Sequence, residues 1–122
     1  MSFTLEKTFR FEAGHILSHH DGKCRFPHGH SYVLTIRIRS DQLQSSGPKK
    51  NMVIDFSDLS TVAGEMINNY FDHHWLNDTL ETDAPTVEYI AKWIFDYLHP
   101  KLPNLHSVTL HETATSSVTY SQ

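Results

Sequence analysis

The sequence has a single cysteine, Cys24, in 122 residues, so no intrachain disulfide can form. A lone thiol suits a reducing compartment. No stretch approaches the ~18–20 apolar residues that a membrane-crossing helix needs. The start, MSFTLEKTFRFEAGH, alternates and carries charge. It lacks the basic start and apolar run of a secretory leader, so the expected location is the cytoplasm. Charge of one sign is also scarce. Ten basic residues against 14 acidic ones give a net charge of −4. That balance makes no electrostatic case for nucleic acid or an anionic membrane. No repeat or linker divides the chain, and its length suits one core, so residues 1–122 read as one domain. Against these shortages stands one surplus, 10 histidines, which directs attention to metal or proton chemistry.

Hydrophobic periodicity places the elements. Residues 3–15 alternate, with Phe3, Leu5, Phe9, Phe11 and Ala13 on one face and His15 in the same parity. Residues 29–40 alternate again, with His30, Tyr32, Leu34, Ile36 and Ile38 on one face. DQLQSSGPKKN reads as a hairpin loop turning at Gly47-Pro48. MVIDF reads as a short strand. A helix is expected from an N-cap at Ser57, with Leu59, Val62, Ala63, Met66, Ile67 and Tyr70 as its apolar stripe. FDHHWLNDTLETDAP reads as a polar loop. A second helix runs from about Thr86 to Leu98, and Pro100 and Pro103 stop it. Residues 106–113 alternate once more, and SSVTYS can extend or return as a last strand segment. The class is α+β: an antiparallel sheet with two one-sided helices on one face.

Residues two apart on a strand point the same way. His28 and His30, in CRFPHGHSY, can therefore converge on one ion, and His15 adds a third nitrogen if the two strands pair. Three neutral imidazoles leave one position open on tetrahedral zinc, the arrangement of catalytic sites. The competing reading is that an H-x-H arises by chance in a histidine-rich chain. Cys24 is either a thiol activated by nearby imidazoles or a small buried apolar residue. Asp72 and His73 are adjacent, and a carboxylate can orient an imidazole. Glu112 falls on the apolar face of the last long strand, where a carboxylate needs a partner. That partner is either Arg37 or Arg10, or a ligand whose parallel N–H donors a carboxylate grips in a two-bond fork. His19, His20, His99 and His106 read as solvated.

FEAGHIL, C-RFP-HGHSY, MVIDFSDL, DHHWLND, APTVEYIAKWI and HET stand in the order found in the 6-pyruvoyltetrahydropterin synthase family. The chain resembles in particular its bacterial 6-carboxy-5,6,7,8-tetrahydropterin synthase branch, of queuosine biosynthesis. The resemblance spans Phe9 to Tyr120. It implies the tunnelling fold (T-fold), a four-stranded antiparallel sheet with two helices packed on one face. It implies a homohexamer, a dimer of trimers, with sites between subunits. His15, His28 and His30 would hold one Zn2+ per subunit. Cys24 would be the general base, with Asp72 and His73 as a proton relay opposite it. Glu112 would anchor the pterin and could join the relay. Thr86 and Glu88 would lie near the pterin. His73 rather than His74 takes the catalytic role by motif alignment. The implied activity is that of a lyase converting 7,8-dihydroneopterin triphosphate to 6-carboxy-5,6,7,8-tetrahydropterin, with release of acetaldehyde and triphosphate. Two alternatives stand beside it: retention of the side chain as a 6-pyruvoyl group, and a non-catalytic zinc-binding module. A zinc hydrolase acting through metal hydroxide would instead need a carboxylate base beside the metal and no thiol. The chain departs from the family pattern at Gly14, often alanine, and at Asn51, usually glycine. Asn tolerates a positive φ, so that turn should survive.

Overall fold

A computed structural model describes residues 2–122. Strand β1 (Phe3–His15) and strand β2 (His28–Ser40) form one long antiparallel ribbon, in which His15 faces His28 and Ala13 faces His30. Helix α1 (Phe56–Met66) follows, then a widened π-helical turn (Ile67–Phe71), a two-residue strand β3 (His74–Trp75) and a one-turn helix α2 (Leu76–Thr79). Helix α3 (Val87–Leu98), strand β4 (Leu105–Thr113) and strand β5 (Ser116–Tyr120) complete the described chain. Among the described residues no helix is long and apolar enough to cross a membrane.

The sheet order is β3-β1-β2-β4-β5. This corrects the four-stranded antiparallel expectation. The sheet has five strands and is mixed, because β3 runs parallel to β1 at Ala13 and Gly14. The other three pairings are antiparallel. The parallel rung arises from the route of the chain. It reaches β1 again after α1 rather than through a hairpin, and such a crossover returns a strand in the parallel sense. SSVTYS returns as β5.

MVIDF is not a strand. The N–H of Gln44 donates to Met52 O and that of Asn51 to Gln44 O, closing a local turn. Both sides of β2 are taken, by β1 and β4. Asp55 then starts α1 as its N-cap, two residues before the expected Ser57, by accepting from the Ser57 N–H at 2.8 Å. Asn51 does adopt a positive φ, 67°. The expected second helix keeps its boundary: the Thr86 hydroxyl caps α3 by accepting from the Tyr89 N–H at 3.1 Å.

The core joins one sheet face to the helices. Phe11 and Ala13 of β1, Tyr32, Leu34, Ile36 and Ile38 of β2, and Val108 and Leu110 of β4 meet the buried stripes of α1 and α3. Stripe periodicity of about 3.6 on the helices and of two on the strands makes this possible. The opposite sheet face is polar. There Arg37 donates to Glu6 at 2.7 Å and to the Thr109 hydroxyl at 2.6 Å.

Candidate functional site

Strand parity that buries Phe11, Ala13 and Tyr32 also carries His15 and His30 inward at the end of the ribbon. His15 is wholly buried. His15, His28 and His30 each offer a ring nitrogen, and the three lie within 4.8 Å of one another. Their rings pack edge to face, with centroids 4.5 to 5.1 Å apart. These residues could hold a metal ion.

The hydrogen bonds around the rings decide which nitrogens are free. His15 Nδ1 lies 2.9 Å from Pro85 O, and His28 Nδ1 lies 2.7 Å from Phe26 O. A carbonyl only accepts, so each Nδ1 carries the proton and each Nε2 keeps a bare lone pair. The Nε2 atoms of His15 and His30 are buried and have no hydrogen-bond partner among the described residues. Two orphaned ring nitrogens in one place are costly without a third party. The donor set fits a cation that takes imidazole nitrogen. Burial pushes His15 and His30 below the ordinary imidazole value of 6.5, against the opposing pull of Glu112 on both and of the Pro85 carbonyl on His15. Both are therefore neutral at pH 7, the state a metal ligand needs.

Glu112 faces this cluster. One carboxylate oxygen stands 3.8 Å from His15 Nε2 and 3.9 Å from His30 Nε2. The internal ion pair considered from sequence does not form with Arg37, which pairs with Glu6. The phenol of Tyr32 is buried nearby with no hydrogen-bond partner among the described residues, and burial together with the Glu112 charge raises its pKa.

Cys24 is half-buried in a short 3-10 turn, Lys23–Arg25. The Leu17 N–H donates to Cys24 O at 2.9 Å. Leu17 lies two residues past His15 and Cys24 four before His28, so the turn is tied between the ends of the strands that carry the triad.

Asp72 and His73 sit at the β1 edge, after the π-helical turn. Asp72 Oδ1 accepts from the Glu12 N–H at 2.9 Å, and the His73 N–H donates to Glu12 O at 2.6 Å. His73 takes a left-handed φ of 60°, a conformation in which His is enriched among non-glycine residues. Its Nδ1 lies 3.0 Å from Asp72 Oδ2 while the ring is 79% exposed. The Glu12 N–H, and then His73, hold the Asp72 carboxyl below its ordinary range. His73 and His30 line one open groove of about 550 Å³ with Glu12, Ser31 and Trp75. His74 also lines it, but its Nε2 is engaged with Asn68 O at 3.0 Å.

Thr86 and Glu88 do not line this groove. The Thr86 hydroxyl is occupied as a cap, and Glu88 is exposed in the first turn of α3. Glycine at 14 has a packing reason: a Cβ there would lie 3.2 Å from the Trp75 ring and 3.3 Å from His28 O. His19 is solvated as expected, yet pairs with Asp83 at 2.8 Å. Sequence reasoning missed the Pro85 carbonyl and Asn77, whose amide holds both backbone groups of Ile16. A carbonyl leaves no sequence signal, whereas DHHWLND did contain the asparagine.

A family model for 6-pyruvoyl tetrahydropterin synthase matches residues 4–122. The chain is 46% identical over 115 residues to a protein of Synechocystis sp. named 6-carboxy-5,6,7,8-tetrahydropterin synthase, covering 93% of this chain and 89% of that one. It is 37% identical over 141 residues to the protein of the same name from Haemophilus influenzae, covering 98% and 99%. Among solved structures, 6-pyruvoyl tetrahydropterin synthase of Caenorhabditis elegans superposes with a TM-score of 0.85 at 26% identity, covering 100% of this chain and 96% of that one.

Proposed function

The chain belongs to the 6-pyruvoyl tetrahydropterin synthase family, and from that premise we propose that it is a zinc-dependent lyase acting on 7,8-dihydroneopterin triphosphate. The products would be 6-carboxy-5,6,7,8-tetrahydropterin, acetaldehyde and triphosphate, as a step of queuosine biosynthesis. The observation that carries this reading is the histidine triad with two buried, unpartnered Nε2 atoms beside the Glu112 carboxylate.

His15, His28 and His30 would hold the zinc, which when bound supplies Lewis acidity to the side-chain hydroxyls of the substrate. Cys24, as thiolate, takes the carbon-bound proton. A reducing cytoplasm keeps that sulfur available. Glu112 grips the 2-amino group and a ring N–H of the pterin in a fork of two charge-assisted bonds. His73, oriented by Asp72, returns or removes a proton from the other side. His73 is too exposed to exclude water within one chain. Residues 3–11 of β1 have a strand partner on one side only, and such an edge calls for cover. Both features support a homohexamer of these single domains with sites completed between subunits.

The test is incubation of the zinc-loaded protein with 7,8-dihydroneopterin triphosphate, with products identified by mass spectrometry. A 6-carboxy pterin with acetaldehyde is the expected outcome. A 6-pyruvoyl product would move the chain to the other branch of the family. No turnover would leave a zinc-binding module.

A further inference from the structure

The hydrogen-bond ladder beside His15 does not stop where β3 stops. Strand β3 pairs with Ala13 and Gly14, then the chain turns into α2 at Leu76. From there the backbone groups of α2 can no longer serve a neighbouring strand. The side chain of Asn77 takes over. Its Oδ1 accepts from the Ile16 N–H at 2.9 Å, and its Nδ2 donates to Ile16 O at 2.9 Å. A carboxamide is chemically a peptide group, so it completes one further rung in place of a backbone. Both bonds are partly buried, which strengthens them.

The consequence falls on His15. On one side its backbone faces His28 through β2. On the other, it lies between Gly14, held by β3, and Ile16, held by Asn77. Its ring is aimed by the Pro85 carbonyl. We propose that Asn77 is a positioning residue for the metal centre: by pinning both backbone groups of Ile16 it sets where His15 Nε2 points, and so tunes metal affinity without touching the metal. This rests on the metal-binding reading of the triad. Partners that orient a ligating histidine change metal affinity by about 10–100-fold when removed. Asn77 acts through one peptide unit, so the lower end, about tenfold, is expected.

The experiment compares metal-free full-length wild type with Asn77→Ala, Asn77→Asp and a control, Thr79→Val. Thr79 donates to Tyr70 O at 2.7 Å. It anchors the same short helix but has no link to Ile16. Three quantities are read: zinc affinity by competition with a chromophoric chelator, the visible spectrum of the Co2+ form, and the melting temperature without metal. Asn77→Asp keeps the shape and one acceptor but sets a carboxylate oxygen against Ile16 O. The expected result is a loss of affinity of about tenfold and an altered Co2+ spectrum in both Asn77 variants, with neither change in Thr79→Val despite a comparable fall in melting temperature. Should Asn77→Ala fail to fold, Asn77→Asp and its cobalt spectrum decide. Wild-type affinity and spectrum in a folded Asn77 variant would overturn the proposal. So would an equal loss in Thr79→Val, which would make the effect one of general stability. Failure of the wild type to bind either metal would remove the metal reading itself, and the proposal with it.

Discussion

His15→Ala and His28→Ala each remove one nitrogen from the triad, yet they should differ in the metal-free protein. His15 is wholly buried and its Nδ1–H serves the Pro85 carbonyl. Emptying an imidazole-sized volume in a packed region costs about 2–4 kcal/mol. Leaving the buried Pro85 carbonyl without its donor adds about 1 kcal/mol. Against this, the orphaned Nε2 also disappears, which returns about 1–2 kcal/mol. The net is a destabilisation of about 2–3 kcal/mol. His28 is half-buried, and its bond to Phe26 O is exposed. Its removal should cost about 0.5–1 kcal/mol. At an unfolding entropy of about 2.1 cal/mol/K per residue, the difference of about 2 kcal/mol separates the two melting temperatures by about 8 °C. The assay is thermal or urea unfolding of chelator-treated protein at one fixed concentration, followed by zinc titration of each variant. Both variants should lose most of their metal affinity, while only His15→Ala loses much stability. Equal stabilities would refute the packing argument. Wild-type metal affinity in either variant would refute the triad.

Cys24→Ala should keep metal affinity but lower kcat by about 100-fold or more, the usual contribution of a general base; a loss of metal in this variant would contradict the assigned role. Glu112→Gln should raise KM for the pterin by about tenfold, the worth of a charge-assisted hydrogen bond of about 1.5 kcal/mol; an unchanged KM would leave Glu112 a structural residue. Acid should loosen the start of α1, because the Lys49 side chain and then the Ser57 N–H hold the Asp55 carboxyl below its ordinary value of 3.8. The unfolded chain takes up this proton first, so the stabilisation is present above pH 3.8 and is lost as pH falls through the folded-state value. Lys49→Met should flatten the low-pH limb of a urea-midpoint titration, and an unchanged limb would exclude this pair as its cause.

Alternation carried the triad. With a period of two, His28 and His30 must share a face, and His15 must share the face of Phe11 and Ala13. Only the pairing of β1 with β2 remained to be supplied, and a loop of twelve residues between the strands favours it. The Thr86 cap and the α3 stripe were legible for the same local reason. The failures were of another kind. MVIDF has strand composition, but Met52 O is taken by the Gln44 N–H in a local turn and Phe56 already begins α1. HW has no strand signature, yet it pairs with β1 because the Asp72–His73 turn delivers it there.

What the sequence alone determined was therefore local periodicity: which residues share a face, where α3 begins, and which three imidazoles can meet. Tertiary structure decided what those imidazoles are held by. Pro85 lies 70 residues from His15 and Asn77 61 from Ile16. One contributes a backbone carbonyl that every residue type possesses, and the other a side chain whose role depends on where β3 ends. Separations of that size carry no periodic signal. They exist only once α1 has packed on the sheet and brought the chain back to the edge of β1.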